Sequence, residues 1–329
     1  MSHRVAIRVL RMATLLLGLT LLTFVLIHYS PLDPIQAYVG SRNDVTDAQL
    51  EALRARWGLD EPLPTRFGLW ITALASGDFG TSFLYHEPVL DVIIRAFLNS
   101  LVLMMVSWVL ASLLGYALGV LAAFRRGRFL DRLIRWYAFT LVSVPSYVLG
   151  LVLLIVFGVW LQWFPIGLST PVGMMSDDVT FADRLRHFVL PCLTLTFLGV
   201  ANVALHTRET MNDVLTSDYV LFARARGLSD WRIFRAHGWR NSILPVTMLQ
   251  FAYFSELFGG SALAEIVFSY HGLGSVMTKA GLHGDVPLLL GTVIIASLFV
   301  FFGNLCADIV AEVVDPRVRR SRRALSKPS

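Results

Sequence analysis

Four carboxylates stand inside long apolar stretches of this chain: Glu256, Glu265, Asp308 and Glu312. A charge in such surroundings is expensive to keep, so each needs water, a partner or a task. Glu265, Asp308 and Glu312 fall near the ends of their apolar blocks, where water is expected close by. Glu256 lies deeper, and is expected either to line a polar passage or to pair with a charge on another subunit. Gly259, Gly260 and Ser261 follow it and suggest close helix packing. Eight histidines are scattered at His3, His28, His86, His187, His206, His237, His271 and His283, and no pair has ligand spacing within a helix. Neither H-E-x-x-H nor G-x-S-x-G occurs, and no G-x-x-x-x-G-K-[ST] loop cradles a phosphate. Catalytic and metal-binding chemistry therefore have no obvious seat. The two cysteines, Cys192 and Cys306, each sit in an apolar block and imply no disulfide framework.

The elements around these residues are those of a membrane protein. Hydrophobic residues make up 55% of the 329 and charged residues 16%, with a mean hydropathy of +0.63; soluble domains carry about 25% charged residues. Roughly 20 apolar residues in a helix cross a hydrocarbon core of about 30 Å. Six stretches approach that length: 12–27, 97–124, 136–160, 188–206, 243–268 and 286–310. The expected fold class is an all-α integral membrane protein with six transmembrane helices. Pro145 and Pro191 fall within two of the spans and are tolerated where neighbours re-satisfy the freed carbonyls.

Lysine and arginine set the orientation. With the N-terminus inside, the inner segments hold 20 of the 28 basic residues, among them Arg4, Arg8, Arg11, Arg125, Arg126, Arg128, Arg132, Arg135 and the run from Arg317 to Lys327. The segment between the first two spans is instead rich in acid, from Asp33 to Asp91. Both termini are thus expected in the cytoplasm, and the net charge of +5 reflects topology rather than a nucleic-acid surface. The first span has no small-residue cleavage site after it and reads as uncleaved.

Two connections are long enough to carry structure. In the outer region 30–95, Leu50, Leu53 and Trp57 recur at helical spacing behind a cap at Thr46 or Asp47, and Phe67, Trp70, Ile71 and Leu74 form a second helical cluster. Turns follow at Gly77, Gly80 and Pro88. In the inner loop 207–243, a helix over about 218–226 ends at Gly227, and another begins behind Ser229 as N-cap, bringing Trp231, Phe234 and His237 together. Pro245 then opens the fifth span. Such an elbow can dock in a cleft of a soluble partner, with Arg224, Arg226, Arg232 and Arg235 at its rim; an ordinary basic loop is the plainer reading.

Here the sequence resembles the permease subunits of binding-protein-dependent ABC importers, in the dipeptide, oligopeptide and nickel permease family. Those loops read A-R-A-K-G-L-S, a spacer, then H-x-x-R-N-x-x-x-P. This chain has Ala223-Arg224-Ala225-Arg226-Gly227-Leu228-Ser229, then His237, Arg240, Asn241 and Pro245. Gly58 to Leu63 (GLDEPL), Gly77 to Ser82 (GDFGTS), His187 to Leu195, Leu257 to Gly274 and Asp315 to Arg320 are similar to further family stretches. Departures occur at Leu221-Phe222, where the wider signature has Glu-Ala, at Leu32, and at His271, where the family has proline before G-L-G.

The resemblance implies an ABC importer type I permease fold in the bacterial inner membrane. Residues 1–29 would be the N-terminus and first helix, 30–95 an extracytoplasmic region, 96–315 the permease core with its coupling loop 207–243, and 316–329 a basic cytoplasmic tail. The chain would bind no cofactor and hydrolyse no ATP. It would pair with a second permease to enclose the pathway, while two ATPase subunits grip the elbow of Ala223–Ser229 and His237. A solute-binding protein would deliver a peptide, opine, metal chelate or nickel, and membrane lipid would surround the spans; no nucleic acid is implied. Glu256 is the candidate pathway residue. A secondary transporter, a channel and a membrane-embedded enzyme are the alternatives. Dependence on separate ATPase subunits discriminates them.

Overall fold

In the computed structural model, residues 2–29, 35, 46–56, 61–171, 173 and 178–314 are described. Every regular element among them is helical: α1 Ser2–His28, α2 Asp47–Arg56, α3 Leu63–Ala75, α4 Val89–Phe124, α5 Phe129–Ser143, α6 Ser146–Leu153 with a π-helical continuation over Leu154–Trp160, α7 Phe181–Leu215, α8 Asp218–Ala225, α9 Asp230–Ile233 with a π-helical continuation over Phe234–Gly238, α10 Trp239–Ala252, α11 Phe254–Val267, α12 Leu273–Leu282 and α13 Val286–Val314. Three are long and apolar enough to cross a membrane, α4, α7 and α13 over Val286–Val310, and a fourth span is possible if α5 and α6 count as one. The apolar part of α1 runs over Leu10–Leu26.

Two expected spans are not straight helices. The stretch 136–160 bends by 110° between α5 and α6. Pro145 is the cause: its ring disfavours the helical region for the preceding residue. Val144 is accordingly extended at φ −95, ψ 127, and Pro145 itself has ψ 143. The stretch 243–268 is broken at Tyr253 between α10 and α11. Upstream, Pro245 does not open that span but lies inside α10. Helical structure is continuous from Asp230 because the π-helical turn leads directly into α10, with the Trp239 N–H donating to the Phe234 carbonyl. By contrast α7 passes through Pro191 unbroken. It starts upstream of the expected span, at a capping box in which Thr180 and Asp183 satisfy each other's backbone N–H.

The described chain divides into two compact units, one from the N-terminal part through Ser100 with His271–Phe301, the other Leu101–Tyr270 with the segment from Phe302. In the first, Phe24 of α1 meets Phe67 of α3 edge-on at 5.3 Å. The buried carboxylate of Asp285 organises the turn before α4: it accepts from Ser82 Oγ at 2.5 Å and from the Leu84 N–H at 2.9 Å. Its other oxygen accepts from Leu288 N–H at 3.2 Å at the start of α13. Gly77 and Gly80 adopt φ +85 and +79, and Asp78 accepts from the Gly80 N–H at 2.8 Å. The G-D-x-G-x-S stretch is thus a turn built to present Ser82 to Asp285.

In the second unit, α4 and α7 come together backbone to backbone. A Cβ on Gly119 would stand 2.5 Å from Thr207 Cβ and 2.7 Å from the Ala204 carbonyl oxygen, and one on Gly115 2.6 Å from Val203 Cβ. From the other side, Gly199 of α7 leaves room for Ala111. Small residues four apart admit such approach in membrane helices. Within this chain Gly259 and Gly260 make no such approach: nothing lies within 4 Å of a Cβ on Gly259, and Gly260 makes only an ordinary contact with Leu195 at 3.7 Å. Glu265 is fully buried at 0% exposure, so protein and not water surrounds its side chain.

Candidate functional site

The elbow after α7 is built from its sequence in a legible way. Helix α8 closes on Gly227, whose φ of +82 is the left-handed conformation that glycine adopts without penalty. The Leu228 N–H donates to the Ala223 carbonyl at 3.2 Å and the Gly227 N–H to the Arg224 carbonyl at 2.9 Å, the paired bonds of a Schellman ending. That geometry explains the spacing A-x-x-x-G-L. Ala223 is small and buried, Gly227 makes the turn, and Leu228 folds back beneath it. Ala223, Val220 and Ile233 pack with Ala123 of α4 and with Met211, Val214 and Leu215 of α7, with Leu228, Phe234 and Phe124 at the edge. The elbow is therefore seated on the ends of two long helices.

Its second arm is fixed by side chains of the H-x-x-R-N motif. The His237 ring packs 5.5 Å from Tyr219 of α8, and Asn241 Nδ2 donates to the His237 carbonyl at 2.9 Å and to Tyr219 Oη at 3.3 Å. Ser242 donates to the Gly238 carbonyl at 2.8 Å and shares a 2.7 Å bond with the Tyr116 hydroxyl of α4. Trp231 and Phe234 stack at 5.6 Å, but His237 does not join them; it faces α8 instead. Ser229 occupies the cap position of α9 with extended backbone, yet its side chain makes no capping bond.

What the elbow leaves outside is apolar at the centre and basic around it. Phe222 and Trp231 are 66% and 65% exposed, with Leu221 beside them at 50%. Ala225, Arg226, Gly227 and Ser229 are exposed too. Arg224 lies 3.7 Å from Asp230, and the Arg226 guanidinium sits 6.0 Å from the Phe222 ring centre. Exposed aromatics with arginine beside them are residue types enriched in protein interfaces.

Two groups that the sequence reading passed over support this unit. Asp131 of α5, fully buried, accepts from Arg208 Nε and Nη2 at 2.5 and 3.0 Å and from the Gly127 N–H at 2.8 Å, joining α5 to α7. A lone acid among Arg125, Arg126, Arg128, Arg132 and Arg135 was the available signal. Trp108 of α4 donates through Nε1 to the Gln250 carbonyl at 3.2 Å, just before the break at Tyr253. Gln250 itself donates to Ser112 Oγ.

Glu256 stands just beyond that break, exposed, in a cleft of about 160 Å³ shared with Trp108, Asn202, Gln250 and Tyr253. Among the described residues no three histidine, cysteine, aspartate or glutamate side chains gather where they could hold a metal ion. His271 is half-buried, with its ring 6.0 Å from Tyr85 and its carbonyl accepting from Asn99 Nδ2 at 2.8 Å. Burial, with Lys279 and Arg95 nearby, holds its imidazole below the ordinary value.

The long apolar helices and the structured elbow seated on two of them define the class as a helical, multi-span membrane protein. Residues 115–320 match the family described as binding-protein-dependent transport system inner membrane component, and residues 1–104 match the N-terminal region described for such membrane components. The chain belongs to this family, and is a multi-pass inner-membrane permease component of an ABC importer. Among curated relatives, the oligopeptide transport system permease protein AppB of Bacillus subtilis is 33% identical over 312 residues, covering 94% of this chain and 97% of that protein. The glutathione transport system permease protein GsiC of Salmonella typhimurium is 36% identical over 320 residues, covering 97% and 99%. A putative peptide permease protein of Brucella suis is 34% identical over 308 residues, covering 93% and 95%. In this family ATP is used by separate ATPase partners, and the permease itself is non-catalytic.

Proposed function

We propose that this chain forms, with a second homologous permease, the pathway by which peptides or a related small solute enter the cell. The reading assigns six spans with both termini in the cytoplasm: α1, α4, the bent pair α5–α6, α7, the broken pair α10–α11, and α13. Residues 30–95 then face the solute-binding protein, 96–315 form the core, and 316–329 are a cytoplasmic tail. The distribution of lysine and arginine supports the orientation. Relatives named for oligopeptide and glutathione transport support a peptide-like cargo.

Loop 207–243 is assigned as the coupling element. Ala223, Arg224, Ala225, Arg226, Gly227, Leu228, Ser229 and His237 shape an elbow that enters a cleft in one ATPase subunit. The observation carrying this is the elbow's two-sidedness: Val220, Ala223 and Ile233 grip the ends of α4 and α7, while Phe222 and Trp231 are left exposed. A push on the outer face is thus delivered to two long helices. Closure of the ATPases on ATP moves the elbow and tilts the spans between inward- and outward-facing states.

Affinity purification of the tagged chain from its native membrane in mild detergent tests the reading. A second permease and two Walker-motif ATPases should co-purify, and the ATPases should be lost in Gly227→Pro or Ala225→Asp. Recovery of the chain alone, moving solute in liposomes without ATP, would leave a secondary transporter or channel.

A further inference from the structure

The break between α10 and α11 leaves a feature that helix packing does not use. Beside it lies the cleft of about 160 Å³, lined by Trp108, Asn202, Gln250, Tyr253 and Glu256 among others, and none of its lining residues is basic. Its aromatic wall is held in place. The Trp108 indole is tied to the Gln250 carbonyl and meets Phe251 and Phe254 edge-on at 5.2 and 6.0 Å, and the Gln250 amide is tied to Ser112. Glu256 and Asn202 are different. Among the described residues, none donates to the Glu256 carboxylate and none bonds the Asn202 side-chain amide, and both are exposed. An unpaired carboxylate in an apolar helix is costly unless something cationic or wet answers it.

We propose that this cleft receives a positively charged group of the cargo as it passes. The Glu256 carboxylate supplies the opposite charge, the faces of Trp108 and Tyr253 attract the cation, and the Asn202 amide bonds a neighbouring carbonyl. The chemistry fits an ammonium beside an amide, as at the N-terminus of a peptide, and it makes the permease itself selective for charge. The inference rests on the importer reading of the preceding subsection.

Cysteine labelling in the assembled complex tests it without knowledge of the cargo. In a background carrying Cys192→Ser and Cys306→Ser, Asn202→Cys is reacted with a cationic and with an anionic methanethiosulfonate. With Glu256 present the cationic reagent is favoured, and adding Glu256→Gln lowers that preference about tenfold, as removing one nearby unit charge requires. The opposing results are plain. A preference that ignores Glu256→Gln overturns the cation site. Failure of either reagent to react in the complex, with reaction in the chain freed of its partners, makes the cleft a permease–permease contact and overturns it too. Because the labelling ratio does not depend on ATPase binding, loss of the importer reading in the co-purification experiment leaves this measurement separately readable.

Discussion

Replacement of Gly119 by alanine tests the closest contact in the permease core. The new Cβ would stand 2.5 Å from Thr207 Cβ, 2.9 Å from its Cγ2 and 2.7 Å from the Ala204 carbonyl oxygen. Carbon atoms pack at about 3.5–4.0 Å, so α4 and α7 must separate by about an ångström, and a backbone oxygen cannot rotate out of the way. Overpacking of this kind costs about 1–3 kcal/mol. Alanine returns up to about 1 kcal/mol of helix propensity. A net loss of about 1–2 kcal/mol is expected in detergent-titrated unfolding of the purified protein. Gly259→Ala is the control: with nothing within 4 Å, only the propensity gain remains and stability should hold or rise. Thr207→Gly in the Gly119→Ala background should recover only part of the loss, because the Ala204 carbonyl stays in place. If Gly119→Ala unfolds like Gly259→Ala, the close approach of α4 and α7 is refuted.

Other outcomes follow from the same contacts. Asp131→Asn leaves Arg208, whose side chain is 19% exposed, without its counter-charge and should destabilise by about 3–5 kcal/mol in the same unfolding assay; a change under about 1 kcal/mol would contradict the buried pair. Asp285→Ala removes the acceptor for Ser82, Leu84 and Leu288, so hydrogen exchange at the Leu84 and Leu288 amides should speed sharply while amides of α7 are unchanged. His271 has its imidazole held below the ordinary 6.5 mainly by burial. The unfolded chain then binds the proton more readily, and stability contributed by the neutral ring is present above pH 6.5 and lost progressively as pH falls from there through the lower folded-state value. His271→Gln should flatten that part of the pH profile.

Much of this was legible in the sequence, for identifiable reasons. Runs of apolar residues marked α4, α7 and α13 because length alone decides whether a helix can cross a bilayer. The elbow was legible through Gly227, since only a left-handed turn explains a glycine closing one short helix before another begins. The bend at Val144 was encoded too, but proline inside an apolar run can be either tolerated or obeyed: α7 tolerates Pro191, whereas the chain obeys Pro145. The break at Tyr253 carries no glycine or proline and is stabilised by a bond from Trp108, far away in sequence. Gly115 and Gly119 were not singled out in the sequence, because which glycines pack closely depends on which faces meet. For the same reason Gly259 looked equivalent and is not. Asp131 shows the limit most clearly, because its partner Arg208 lies on another helix.

The central claim is that exposed aromatics on a seated elbow couple this permease to ATP. Its most direct measurement is binding-protein-stimulated ATP hydrolysis by the reconstituted complex, with and without Phe222→Ala and Trp231→Ala together. Truncating two central aromatic anchors of an interface typically costs more than about 1 kcal/mol each. ATPase retention and stimulated hydrolysis should therefore fall by roughly tenfold or more, while the permease stays folded because both rings point outward. Hydrolysis and ATPase retention at the unaltered level would contradict the account.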